Sequence, residues 1–232
     1  MKRVAVVTGA SSGIGNAIAE MLLADGLSVI ASGRTIDSVF TDSDTLRTNS
    51  HDLLDESTPG ILLEAALSAF GTVDYLFVNA GTIESGSIED IDIEKVCTMI
   101  RLKVESSVRL IYTFLKDFKT RGRGHIFITS SVLGTKTREN SGAYAACNHA
   151  LEALAESLRM ELSDTDIQIT CIEPGLVSTG LHRDWPVHPR ELLNISNTLT
   201  PDDIAASIKE IMEKPSHVRI PKYMILPKGH RI

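Results

Sequence analysis

Between residues 4 and 24 the chain runs from an unbroken apolar stretch, Val4-Ala5-Val6-Val7, through Thr8-Gly9-Ala10-Ser11-Ser12-Gly13-Ile14-Gly15, into Ala17, Ile18, Met21 and Leu22 at helical spacing. A strand that is apolar on both faces belongs inside a parallel sheet, because helices must cover both of its sides. Strand, glycine turn and helix in immediate succession therefore constrain the fold more than any other feature. Asp25-Gly26 then stops the helix.

The same unit recurs along the chain. Strand patterns fall at 28–31, 46–48, 75–78, 125–129, 167–172 and 223–226; helical patterns fall at about 59–70, 92–118 and 142–162, and Pro201-Asp202-Asp203 opens a last helix. Strands separated by helices require right-handed crossovers. The expected fold class is α/β: a single-domain Rossmann-type doubly wound parallel sheet of about seven strands with helices on both faces, spanning 1–232. Ligands of such a sheet sit at the carboxyl ends of its strands. The stretch 35–50 is rich in Thr, Ser and Asp, so the helix due after the second strand is eroded. One long connection contains Trp185, Pro186 and Pro189 and is expected to form a lid or substrate segment at about 176–200.

With 232 residues, 43% of them hydrophobic, the chain can bury one sizeable core. Its formal net charge of -7 removes nucleic acid from the expected partners, since polyanion binding needs a basic surface. No apolar run approaches the ~20 residues of a membrane span, so neither a membrane nor a secretory signal is expected. Cys97, Cys147 and Cys171 are odd in number and lack metal-ligand spacing. They suit a reducing cytoplasm better than a disulfide framework, imply no metal, and read as small buried hydrophobes.

Glycines in the first turn let the backbone approach a phosphate at the helix N-terminus; the alternative is a turn that merely needs positive φ. The spacing Gly-x-x-x-Gly-x-Gly after Thr8 is followed by Asp52-Leu53, Asn79-Ala80-Gly81, Ser130-Ser131, Tyr144 and Pro174-Gly175, each after its own strand or on its own helix. In this order the marks resemble the short-chain dehydrogenase/reductase family over almost the whole chain. The resemblance implies a dinucleotide bound by Gly9, Ser11, Ser12, Gly13, Ile14 and Gly15, with Asp52 and Leu53 at its adenine. It also implies that Asn79, Ala80 and Gly81 support the central strands, and that Pro174 and Gly175 lead to Val177 and Thr179 at the nicotinamide amide. Asp52 could instead be a turn residue and Asn79 a structural bridge. After the second strand the chain reads Ala31-Ser32-Gly33-Arg34. No acid is present to accept from ribose hydroxyls, and Arg34 can fork onto a phosphate, which favours NADP(H) over NAD(H). Arg34 as a solvated surface charge is the alternative.

In the family a serine orients the substrate oxygen, a tyrosine moves the proton, a lysine four residues later assists it, and an asparagine on the long helix completes a relay. Ser131 and Tyr144 keep the family spacing. Asn148 stands where the lysine belongs, and a gapless count back from Ser131 puts Lys103 where the asparagine belongs. The two residue types are exchanged. A cation about 5 Å from a phenolate stabilises it by about 3 kcal/mol at an effective dielectric of about 20, so a lysine arriving from the other helix can serve. If Lys103 points to solvent, or pairs with Glu105 or Ser107, that assistance is lost.

Two functions follow. The first is an NADP(H)-dependent oxidoreductase interconverting an alcohol and a carbonyl compound through Ser131, Tyr144, Lys103 and Asn148. Its specificity would come from Leu133, Gly134, the loop before Tyr144, and Leu181, His182 and Trp185. The stretch 173–177 and the ending Ile225-Leu226-Pro227 resemble the small cytoplasmic members acting on 3-hydroxy acids, serine among them. The second is a catalytically impaired NADP(H)-binding sensor or partner subunit. Either implies a homodimer or homotetramer built through the helices at 92–118 and 142–162.

Overall fold

The computed structural model describes residues 2–183, 185 and 187–232. Its elements are β1 (Val4–Thr8), α1 (Gly13–Ala24), β2 (Ser28–Ser32), β3 (Leu46–Asn49), α2 (Thr58–Phe70), β4 (Tyr75–Val78), α3 (Ile93–Ile100), α4 (Ser106–Arg121), β5 (Arg123–Thr129), α5 (Gly142–Glu161), β6 (Asp166–Pro174), α6 (Pro189–Leu192), α7 (Pro201–Met212) and β7 (Lys222–Ile225). The seven strands form one parallel sheet in the order β3-β2-β1-β4-β5-β6-β7. Chain direction across the sheet reverses between β1 and β4, and the crevice above that point is where such sheets bind ligands.

Every residue of β1 and β4 is buried, as strands covered on both faces must be. One face packs Ile18 and Leu22 of α1 and Ile204 and Ile208 of α7 against Val7, Val29 and Phe77. The other packs Leu62 of α2, Phe114 and Phe118 of α4 and Leu151 and Leu158 of α5 against Val6, Leu76 and Ile126. Two apolar layers sandwich the sheet, which leaves its strand ends for polar work.

Two details depart from the sequence reading. The helical pattern at 92–118 is three pieces, because a π-helical turn at Arg101–Glu105 separates α3 from α4. Such a turn inserts a residue into the ladder and re-aims the side chains around it. Cys97 is exposed, whereas Cys147 and Cys171 are buried, because α3 lies over the sheet rim and buries only Met99. Between Ser32 and Leu46 the sole helical element is the three-residue turn Ile36–Ser38, in keeping with the eroded crossover. The expected lid carries a short turn at Gly180–His182 and α6, and Val177 bridges to Leu199 at its base. Asp184 and Pro186 of that segment lie outside the described residues, as does Met1. No helix among the described residues is long and apolar enough to cross a membrane, and no group of three or more His, Cys, Asp or Glu is placed to hold a metal ion.

Candidate active site

The turn after β1 is shaped by what surrounds it. Gly9 has φ +68°, and a Cβ there would sit 2.9 Å from Ala80 Cα. Gly15 is buried so tightly that a Cβ would come within 2.6 Å of Asn79 Nδ2 and closer still to the Gly9 carbonyl. Gly13 lies under Thr179, whose Cγ2 would be 3.2 Å from an added Cβ. Ser12 starts α1 in an extended conformation without a side-chain cap, and the first turn holds no acid. The amides of Gly13, Ile14 and Gly15 thus stay open toward an anion at the positive end of the helix.

Asn79 ties this turn to the centre of the sheet. Its Nδ2 donates to the Thr8 carbonyl (3.2 Å), its Oδ1 accepts from Thr129 Oγ1 (3.0 Å), and its N–H donates to Thr8 Oγ1 (3.0 Å). The Thr8 hydroxyl donates in turn to the Phe77 carbonyl. β1, β4 and β5 are therefore locked at their carboxyl ends by one asparagine and two threonines, Thr8 and Thr129, a role for Thr8 that its place beside the glycines did not reveal. Gly33 lies against the Ser11 hydroxyl, too close for any side chain. Arg34 follows, exposed and with no hydrogen bond or ion pair among the described residues. Asp52 is exposed and caps its own turn by accepting from the Leu54 N–H, while Leu53 is buried in the core.

On the far side of β1, Ser131 starts a one-turn helix at Val132–Gly134 and accepts from the Leu133 N–H (3.1 Å). Its hydroxyl hydrogen remains free to donate. Val132 and Leu133 pack with Tyr144, Met99, Ala145 and Cys147 in one buried cluster, which also receives Leu226 from the tail. Lys103 enters the same place from the π-helical turn. It is only 6% exposed, its Nζ lies 5.3 Å from the Tyr144 ring centroid, and it runs beside Gly81. Neither Glu105 nor Ser107 holds it: Glu105 binds Arg109 instead (3.0 Å), and Ser107 is buried. Burial pushes the Cys147 thiol up, and the Lys103 charge beside it works the other way.

Asn148 is fully buried. Its Nδ2 donates to the Tyr144 carbonyl (2.8 Å), and its Oδ1 has no partner. An orphaned buried amide oxygen is costly unless a ligand group or water completes it. Together with the uncapped glycine turn, it makes the residues present fit a dinucleotide. Gly175 donates to the Ile225 carbonyl and fixes the start of the lid, and Thr179 Oγ1 accepts from the Leu181 N–H. In the lid His182 packs edge-on against Trp185 (centroids 4.9 Å apart), and burial followed by the nearby His188 pulls its pKa down to about 4.

The comparisons agree with this geometry. Residues 3–189 match the family model described as short chain dehydrogenase. An uncharacterised oxidoreductase of Staphylococcus epidermidis is 31% identical over 230 residues, covering 97% of each chain. An alcohol dehydrogenase of the archaeon Thermococcus sibiricus, solved in complex with 5-hydroxy-NADP, superposes with a TM-score of 0.87 at 26% identity over 100% of this chain and 99% of that one. Serine dehydrogenase from Escherichia coli shares the fold at a TM-score of 0.85 and 24% identity, over 99% of this chain and 100% of that one. The chain belongs to the short-chain dehydrogenase family of oxidoreductases.

Proposed function

We propose that the protein is an NADP(H)-dependent oxidoreductase that interconverts an alcohol and a carbonyl compound, with Lys103 working in place of the family's lysine. The observation that carries this reading is the buried Lys103 Nζ 5.3 Å from the Tyr144 ring, with no carboxylate partner among the described residues. A buried ammonium without a partner is costly, so a site that keeps one uses it.

Each residue has a task. Amides of Gly13, Ile14 and Gly15 hold the pyrophosphate, Ser11 and Arg34 the 2'-phosphate, and Asp52 with the Leu53 amide the adenine. Val177 and Thr179 hold the nicotinamide amide. The bound nicotinamide supplies or receives the hydride. Ser131 donates its hydroxyl hydrogen to the substrate oxygen and orients it. Tyr144 gives its phenolic proton to that oxygen during reduction and takes it back during oxidation. Lys103 stabilises the negative charge left on Tyr144, and Asn148 Oδ1 accepts from a ribose hydroxyl. Leu133, Leu226 and the lid residues Leu181, His182 and Trp185 exclude water from the reacting atoms.

The substrates to test first are 3-hydroxy acids, serine included, in keeping with serine dehydrogenase among the structural relatives. Half-exposed Tyr112 on α4 and exposed Met160 on α5 suit a homodimer or homotetramer formed through these helices, and three free cysteines suit the cytoplasm. Titration with NADPH and then NADH, read by quenching of Trp185 and by thermal shift, tests the cofactor half without needing a substrate. Selective binding of NADPH is expected, and binding of neither overturns the reading. NADPH binding without turnover on any alcohol or carbonyl panel would favour the impaired sensor or partner subunit, the reading to which Asn148 in the lysine position points.

A further inference from the structure

Behind Ser131, away from the proposed cofactor, lies a second group of buried charges. Glu152 sits on α5 two turns beyond Tyr144, on the same side as Asn148, and is 4% exposed; Glu173 is 2% exposed and immediately precedes Pro174-Gly175. Lys222, the first residue of β7, reaches in from the sheet edge, with Nζ 2.9 Å from Glu152 and 4.0 Å from Glu173. Two buried carboxyls thus face one ammonium. The same group touches the Ser131 turn: a Cβ on Gly134 would lie 2.6 Å from Ser130 Oγ and 3.0 Å from Glu152 Cγ. Ser130 Oγ and Glu173 Oε1 have no partner.

We propose that Glu173 keeps its proton where it faces Glu152 and that the two, with Lys222, form a positioning lock that holds the Ser131–Gly134 turn against the Pro174-Gly175 segment. Its effect on cofactor binding rests on the function proposed above; its existence does not. The charges fit. Burial, and then the neighbouring Glu152, push the Glu173 carboxyl up, against the pull of Lys222. Burial opposes the charge of Lys222, but Glu152 and Glu173 outweigh it and raise its pKa. Other groups facing the cluster are Cys171 on β6, held at about 12 by burial and Glu152, and Arg159 on α5, which lies 4.0 Å from the Cys171 sulfur. His230 of the tail lies against Gly175, its pKa lowered by burial and then by Arg138. When that proton leaves Glu173, a negative charge faces Glu152 across the junction of α5 and β6, and the junction loosens.

A carboxyl whose folded pKa is raised binds its proton more tightly in the folded state, so its contribution to stability is greatest at low pH and is lost as pH rises through the folded value. Melting of the cofactor-free protein, followed as pH rises from the ordinary carboxylate range, should show this loss, approaching a tenfold change in the folding constant per pH unit for one proton. Glu173→Gln or Glu152→Gln should abolish it, since one amide replaces the protonated partner. Buried His125 and His182, lowered to about 3 and about 4, act in the opposite sense as pH rises toward the ordinary histidine value of 6.5, so each variant is compared with the parent at the same pH. NADPH affinity of the parent should weaken about fivefold to tenfold from pH 6 to pH 9, while both glutamine variants stay flat. Glu152→Ala should be weaker at every pH, with glutamine as the rescuing residue. Parallel pH slopes in parent and variants, equal behaviour of alanine and glutamine, or failure of both glutamine variants to fold at pH 6 would each overturn the lock. If NADPH does not bind at all but the melting slopes separate, the cofactor reading falls and the lock stands.

Discussion

The glycine turn after β1 and the Ser131–Tyr144 centre lie on opposite sides of β4, yet they are built by different means. Backbone alone makes the turn. Its glycines are fixed by the Gly9 carbonyl, Ala80 and Asn79, and a single methyl at Gly15 has nowhere to go. Side chains make the proposed catalytic centre, and they come from three elements: Ser131 after β5, Tyr144 and Asn148 on α5, and Lys103 from the π-helical turn before α4. A backbone site admits almost no variation, because every atom of it is also part of the fold. For a charge near a phenolate only position matters, so the helix that delivers it can change.

That contrast predicts unequal consequences of mutation. The largest effect should come from Gly15→Ala, because neither the Gly9 carbonyl nor Asn79 can retreat without breaking the tie between β1, β4 and β5. Chemical denaturation should show a loss of about 3 kcal/mol or more, with NADPH binding abolished. A stable variant that still binds would show the turn to be as forgiving as the catalytic centre. Next, Lys103→Met should keep NADPH affinity within a few-fold of the parent but lower turnover by at least roughly a hundredfold, the usual scale for losing acid–base assistance. Unchanged turnover would refute the exchange. The double variant Lys103→Asn with Asn148→Lys sharpens the point: recovery of turnover would show that charge position outweighs the helix of origin.

How much of this was legible follows the same division. Val4-Ala5-Val6-Val7 and its glycine turn announced the sheet, because continuous burial and backbone approach leave a local record in residue type. The position of Lys103 could be counted, but its contact could not, since the π-helical turn that swings it inward leaves no mark in Arg101-Leu102-Lys103-Val104-Glu105. Thr8 and the Glu152, Glu173 and Lys222 group went unread for a similar reason. Their meaning lies in partners about 20 to 70 residues away that only the folded chain brings together. Cys97 was misread because composition says how cysteines usually sit, whereas α3 turns that one outward.

Arg34 tests whether the adenosine end behaves like the backbone turn or like the side-chain centre. As an exposed arginine with no partner among the described residues, it is available for a charge-assisted contact worth about 1.5–3 kcal/mol. Arg34→Ala should therefore weaken NADPH by roughly tenfold to a hundredfold and leave NADH almost unchanged, measured by isothermal titration. Equal losses for both cofactors would assign Arg34 to general electrostatics, and no loss would return it to the solvated surface.

The smallest effect belongs to a helix start that touches neither region. Thr200 caps α7 reciprocally with Asp203: its hydroxyl accepts from the Asp203 N–H (3.2 Å), and the Asp203 carboxylate accepts from the Thr200 N–H (2.7 Å). The Thr200 N–H and then the Thr200 hydroxyl (2.9 Å), both donating to the Asp203 carboxylate, hold that carboxyl below its ordinary range, so the cap is strongest with the acid ionised and fades as pH falls through that depressed value. Thr200→Ala should cost about 1 kcal/mol in denaturant unfolding. Because α7 packs through Ile204 and Ile208 onto α1, whose first turn is the proposed phosphate cradle, the informative quantity is NADPH affinity in the same variant. An unchanged affinity would mean that the turn is held by Asn79 and Thr8 from within the sheet. A drop larger than the stability loss would mean that the cradle is also braced from outside by α7, and the division between a backbone site and its surroundings would have to be redrawn.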